Sequence, residues 1–395
     1  MDSLATPLAG WVLDYFGHRR IWHFGGTIAV SIGFCLIFSL DPVTFSMAVF
    51  VYYMLAITLF QVGWAMVQIS HLSIIPEIST SHTHSSELTA IRYTASVCCS
   101  ISVYLITLII LGNDGETEVI GPSDFYKFKE IALIITFIGL LSSMLFYCGL
   151  LGTYENEYEV IREADPEDMK QPSNQIGKHV LRSCVIYLVS IMYMTSRLFT
   201  TLNLIYMPLY IDERGSFNVE NKERMRQTIA SVPLVSYIAS FLTAIFLKFR
   251  LRILTDKVTY FLGSLCGLMA SVWIGIGISA VLDAELYIIA ISIGISSSST
   301  MVSSLCITAN FVKRNGYGGG LVYSVVTFTD KLISGLVVLI VQNLQCSPRS
   351  LCPNFYKNVL TYIGAVVSIL GLLSLALLQY HLKKNVLKMK PETGH

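Results

Sequence analysis

Charge is scarce in this sequence. Only 13% of its 395 residues are Asp, Glu, Lys or Arg, and the two signs nearly cancel to a net charge of +1. A chain so weakly charged, with 53% hydrophobic residues and a mean hydropathy of +0.62, is not an ordinary water-soluble domain. Near-neutrality also removes the basic footprint that a nucleic-acid partner needs, so none is expected. The nine cysteines include no metal-spaced cluster with histidines, so no metal is expected. No phosphate-cradling Gly-Lys motif occurs; Gly316 with Gly318, Gly319 and Gly320 reads as a flexible turn before an apolar run. No nucleophile–base arrangement stands out, which leaves an enzyme and a cofactor without support. A charged leader with a cleavage site is also missing, so no signal peptide is expected.

What is present is apolar matter in runs close to the length of a bilayer crossing, about 20 residues each. Residues 3–13 are apolar but too short to cross at about 1.5 Å per residue. A charged turn follows at 14–20. Ten complete spans then read as 21–40, 45–75, 88–111, 131–151, 180–211, 228–247, 258–282, 286–312, 321–344 and 355–382. This is a polytopic, all-α membrane protein in contact with a lipid bilayer. Placing the turn at 14–20 in the cytosol puts seventeen Lys and Arg in cytosolic loops and eight opposite, with Arg197 and Lys331 inside spans completing the 27. That asymmetry sets the orientation. Residues 154–179 are polar throughout and acidic at first, and read as a cytosolic linker. They divide the chain into a first half (1–153), a second half of six spans (180–382) and a cytosolic tail (383–395). Four complete spans stand before the linker. If the halves are repeats, two helices belong ahead of residue 21, residues 3–13 being the remnant of the second, so that about one and a half are expected to be missing; the alternative is a protein of ten spans.

Polar residues inside such spans mark pathways or helix contacts. Gln61, Trp64, Gln68 and His71 follow one another at helical spacing and share a face. That helix is expected to break at Pro76, with Glu77 entering a polar loop at 79–86 that closes on Glu87 and Arg92. Arg197, with Thr200, Thr201 and Asn203 nearby, lies within the span after the linker and calls for an acid or an anionic group. Asp330 and Lys331 are neighbours pointing about 100° apart, so at least one needs a partner on another helix. Tyr323, Thr327 and Ser334 lie near them. Ser296 to Thr300, with Ser303 and Ser304, read as a small-residue packing face. Cys346 and Cys352 share a non-cytosolic loop with Pro348 and Pro353, where a disulfide is expected.

Gly10, Asp14, Gly17, Arg19 and Arg20 resemble the signature between the second and third helices of major facilitator superfamily transporters. The match departs at Tyr15 and His18, where arginine is usual. Pro76, Glu77, Glu87, Leu88, Thr89 and Arg92 resemble the loop signature of the sugar:cation symporter branch. Gly63-Trp64-Ala65, the run from Gln68 to Glu77, and Glu87 to Tyr93 are similar to a lysosomal and melanosomal member that carries cysteine into the organelle. The resemblance implies a helical carrier working by alternating access, with Asp14 pairing across the halves to hold a gate. It implies an organellar or plasma membrane, and a coupling proton or sodium ion. By that match the first helix and most of the second are absent, and Asp2 falls at the second helix's aspartate. Substrate or coupling residues are then expected among Gln61, Gln68, His71, Arg197, Asn203, Asp330 and Lys331. A zwitterion such as cysteine would place its carboxylate on Arg197 or Lys331 and its ammonium on Gln61, Gln68 or Asp330. Two alternatives stay open. A sugar could stack on Trp64 and Tyr323, although a sugar:cation symporter also needs paired carboxylates, and Asp2 alone is visible. A receptor or assembly protein could keep the fold without transport.

Overall fold

The computed structural model describes residues 2–16, 18–40, 46–79, 82–111, 125–161, 183–215, 222–248, 255–277, 283–315, 319–345, 352 and 354–389. Their regular structure is entirely helical. In chain order the helices are α1 (Asp2–Phe16), α2 (Arg19–Ile37), α3 (Met47–Ile78), α4 (His82–Leu111), α5 (Phe125–Ile161), α6 (Cys184–Gly215), α7 (Lys222–Lys248), α8 (Asp256–Ile276), α9 (Asp283–Asn315), α10 (Gly319–Leu344), α11 (Phe355–Asn358) and α12 (Gly364–Met389). A π turn (Val359–Ile363) joins the last two into one rod. Among the described residues, ten helical rods are long and apolar enough to cross a membrane. A bilayer core admits helices because each satisfies its own backbone hydrogen bonds.

Large apolar side chains cover the outside. On α5, Leu133, Phe137, Leu141, Met144 and Leu145 are all more than half exposed, as a lipid-facing surface requires. The second half has the larger core, where Leu198, Phe199, Leu202, Tyr206, Ile274, Ile289, Ile293 and Leu360 from four elements pack together. A separate cluster forms the seam between the halves: Leu13 of α1, Ile69 and Leu72 of α3, Tyr193 of α6, Leu305 of α9 and Val326 of α10. Helices α2 and α3 pack closely because Gly63 lets the α2 backbone in. A Cβ there would meet Val30 N at 2.8 Å.

Several boundaries differ from the sequence reading. Helix α3 does not break at Pro76 but runs on to Ile78, with Ile74 and Ile75 buried beside the proline. A proline so close to the helix end removes little of the hydrogen-bond ladder. The expected loop at 79–86 is mostly the first turn of α4, which starts at His82. Gly319 and Gly320 are the first residues of α10 rather than part of a turn. Helix α5 continues to Ile161 into the stretch read as linker, and α12 continues to Met389 into the tail.

Candidate functional site

The end of the molecule that carries the basic turns is tied across the two halves. Asp14, in the last turn of α1, accepts hydrogen bonds from the backbone N–H groups of Gly320 (3.0 Å) and Leu321 (2.6 Å) at the start of α10. The first N–H groups of a helix have no partner within it and carry its positive end, so a carboxylate suits them. Gly10, one turn earlier, allows the contact, since a Cβ there would meet Ser324 Cβ at 2.4 Å. Arg19 lies 3.9 Å from Asp14 and donates to Ser73 O of α3 at 2.9 Å. Lys313 of α9 donates to Ser79 O, just past α3, at 2.6 Å. Between α1 and α2, His18 adopts a left-handed backbone (φ 51°), with Nδ1 2.9 Å from Phe16 O. Gly17 lies outside the described residues.

Deeper in, a polar cluster spans the halves. Arg197 Nε of α6 donates to Asp330 Oδ2 of α10 at 3.4 Å, and Ser334 donates to Asp330 Oδ1 at 3.0 Å. Lys331 Nζ donates to Thr6 Oγ1 of α1 at 3.0 Å. The neighbours on α10 thus reach in two directions, as their angular separation demands. Arg92 of α4 completes the cluster, within electrostatic reach of Tyr193, Tyr323 and Arg197. Its neighbours there are two phenols and another cation, and among the described residues no carboxylate forms an ion pair with it. Among the described residues, the cluster therefore gathers three cations, Arg92, Arg197 and Lys331, near the carboxylate of Asp330.

The model of the Major Facilitator Superfamily matches residues 2–330. The chain belongs to the major facilitator superfamily. It is a membrane transporter. It is 31% identical over 399 residues to major facilitator superfamily domain-containing protein 12 of Mus musculus, covering 95% of this chain and 82% of that one. The protein of that name from Homo sapiens is 31% identical over 396 residues, covering 94% and 80%. Among solved structures, the proton:xylose symporter XylE bound to 6-bromo-6-deoxy-D-glucose superposes with a TM-score of 0.68 at 11% identity, over 96% of this chain and 84% of that one. The transporter FucP in its outward conformation does so at 0.64 and 12%, over 95% and 86%. At that identity the two structures speak to the fold alone.

The transporter distributes its sequence-predicted residues over more than one place. Asp14, Gly10 and Arg19 sit at the tie between halves, whereas Arg197, Asp330 and Lys331 meet in the interior. Arg92, read as a loop residue, lies inside α4 and belongs to the interior cluster. Glu87 is exposed on α4, and Pro76 and Glu77 lie in the last turn of α3. Among the described residues, the stripe on α3 makes none of the hydrogen bonds that build the cluster. Trp64 is 47% exposed and stacks on Phe60, with centroids 6.2 Å apart. Gln68 Oε1 is buried without a hydrogen-bond partner. His71 packs instead within the first half, against His23 of α2 and Phe146 of α5. Gln61 is partly buried three turns away from it. Asn203 donates to Phe199 O at 2.8 Å and, with Thr200, Tyr93 and Ser297, lines a pocket of about 570 Å³ counting its open mouth. Tyr93 lies 3.3 Å from Ser240 of α7, across the halves.

Three further features complete this picture. Ser296, Ser299 and Thr300 press against Gly263 and Gly267 of α8, in keeping with a packing face. Cys352 is disulfide-bonded, seven other cysteines are free, and Cys346 lies outside the described residues. Sequence reasoning missed Glu213, whose carboxylate accepts from Phe355 N (2.8 Å) and Tyr356 N (3.1 Å) at the start of α11. It also missed His23 and Tyr147. An acid at the end of an apolar run was the available signal for Glu213; the partners of His71 had none.

Proposed function

We propose that the transporter carries a small solute bearing a carboxylate, with cysteine or a similarly small zwitterion first among the candidates, across an organellar membrane. One observation carries this reading: among the described residues the interior cluster sets three cations beside Asp330, and Arg92 forms no ion pair there. Arg197 is held by Asp330 and Lys331 by Thr6, so the role first expected of those two passes to Arg92. A guanidinium binds a carboxylate in a fork of two parallel hydrogen bonds. Tyr193 and Tyr323 beside it offer hydroxyls to the rest of the solute, and Tyr93, next to Arg92 in the chain, lines the pocket at Asn203. The choice of cysteine and of the lysosome or melanosome rests on the resemblance across residues 63–77 and 87–93. The tie at Asp14 closes the basic end, a state from which a carrier loads on the other side.

Uptake of labelled cysteine into lysosomes from cells lacking their own carrier tests the proposal. Expression of the chain should restore saturable uptake, and Arg92→Gln should raise KM about 10- to 100-fold, the loss of a charged hydrogen bond. Accumulation of a hexoside without cysteine would replace this reading with a sugar symporter. Absence of any uptake or counterflow would favour a receptor or assembly protein.

A further inference from the structure

We infer that the pocket at Asn203 takes the apolar end of the solute and selects carboxylate-bearing solutes with a thiol, thioether or aliphatic chain over hydroxylated ones. This inference rests on the transport reading above. The pocket lies among α4, α6, α7 and α9, and its walls are mostly hydrocarbon: Val97 of α4, Leu204 and Met207 of α6, Val232 and Pro233 of α7, and Ile293 of α9. It adjoins the cationic cluster on two helices. Tyr93 follows Arg92 on α4, and Thr200 stands one turn beyond Arg197 on the same face of α6.

Four of the polar side chains in this lining are already engaged with the protein. The Thr200 hydroxyl donates to Ser196 O at 2.9 Å and the Asn203 amide donates to Phe199 O at 2.8 Å, both within α6. Tyr93 and Ser240 meet each other at 3.3 Å across the halves. A sugar presents a hydroxyl on nearly every carbon. Each one buried here would have to displace such a bond or go without a partner. A hydrocarbon chain asks for no donor and gains by leaving water. A thiol behaves in the same way, as a small hydrophobe.

The solute is thus divided between two surroundings. Its carboxylate belongs with the guanidinium groups, and its side chain extends into the apolar pocket. Cysteine fills only part of a space of about 570 Å³ counting the open mouth. Longer apolar side chains should therefore bind more tightly than short ones until the space is full. Met207, unbranched and flexible, lets the wall follow chains of different length. Serine, with a hydroxyl in place of the thiol, should bind more weakly than cysteine.

The purified full chain in liposomes gives the test. Counterflow of labelled cysteine is measured against alanine, norvaline, norleucine and serine as competitors. Inhibition constants should fall about 2- to 4-fold per added methylene from alanine to norleucine. Serine should bind about 10-fold or more weakly than cysteine. Constants that stay level or rise along the series, or serine equal to cysteine, overturn the inference and leave the carboxylate reading standing. Val97→Phe fills the pocket and should flatten the whole series to about threefold or less; an unchanged slope in that variant also overturns the inference. If the variant does not fold, the slope of the unsubstituted chain decides alone. Absence of cysteine counterflow would instead sink the choice of solute. Stabilisation of the purified chain against heat by straight-chain carboxylates, acetate to hexanoate, then decides the pocket. It should grow with chain length, and stabilisation that does not grow overturns the inference.

Discussion

The Asp330 side chain is 7% exposed and holds two partners, Arg197 from α6 and Ser334 on its own helix. Removing Arg197 would leave that carboxylate, among the described residues, with Ser334 as its one hydrogen-bond donor. Because the Arg197 side chain is 43% exposed, the loss is smaller than for a fully buried pair. Arg197→Met should destabilise the transporter by about 1–3 kcal/mol, and Arg197→Met with Asp330→Asn should recover part of it. Thermal unfolding in detergent of both variants checks this, and equal destabilisation by the single and double variants would contradict it. The charges themselves were legible, since an ionisable residue stands out in an apolar run. Their pairing was not, because the partners lie 133 residues apart. Arg92 was misplaced for the opposite reason: a polar neighbourhood at 79–87 made it look like part of a loop, while the packing of α4 carried it inside.

At the level of elements, the contact of α1 with α10 joins two halves through one carboxylate and one close approach. Asp14 satisfies two N–H groups at the start of α10. Asp14→Ala should cost about 0.5–2 kcal/mol of that contact and bias the carrier toward opening at its basic end. A cysteine placed at Ser324, buried under Gly10, reports the change. Its labelling by an impermeant maleimide, measured against the background of the free cysteines, should quicken by about 2- to 30-fold in Asp14→Ala. An unchanged rate would show that the tie does not hold the closed state. The spacing of glycine, aspartate and basic pair made this contact foreseeable. The course of α3 was not, since burial of Ile74 and Ile75 carries the helix past a proline that local rules treat as a stop.

Over the whole molecule, the asymmetry of basic residues sets which side each connection faces. By that rule residues 345–354 are expected away from the cytosol, on the side where thiols oxidise. Peptide mass spectrometry without reduction should find Cys352, which is disulfide-bonded, joined to Cys346. A different partner, or both thiols free in protein from the organelle, would reject the pairing and with it the assigned sidedness of that loop. The number of crossings was determined by sequence alone, because a bilayer demands about 20 apolar residues in series and each such run reads independently of the others. The helical class followed from the same demand. What only the tertiary structure decided is which polar side chains share a space. The stripe on α3 was visible as a stripe. Yet its lower end faces His23 and Phe146 rather than Arg197, because glycine contacts draw α2 and α3 together and turn that face into the first half. Helical periodicity fixes which residues share a face. The close approach of backbones at Gly63 and Gly10 fixes what each face meets, and that depends on atoms far away in the chain.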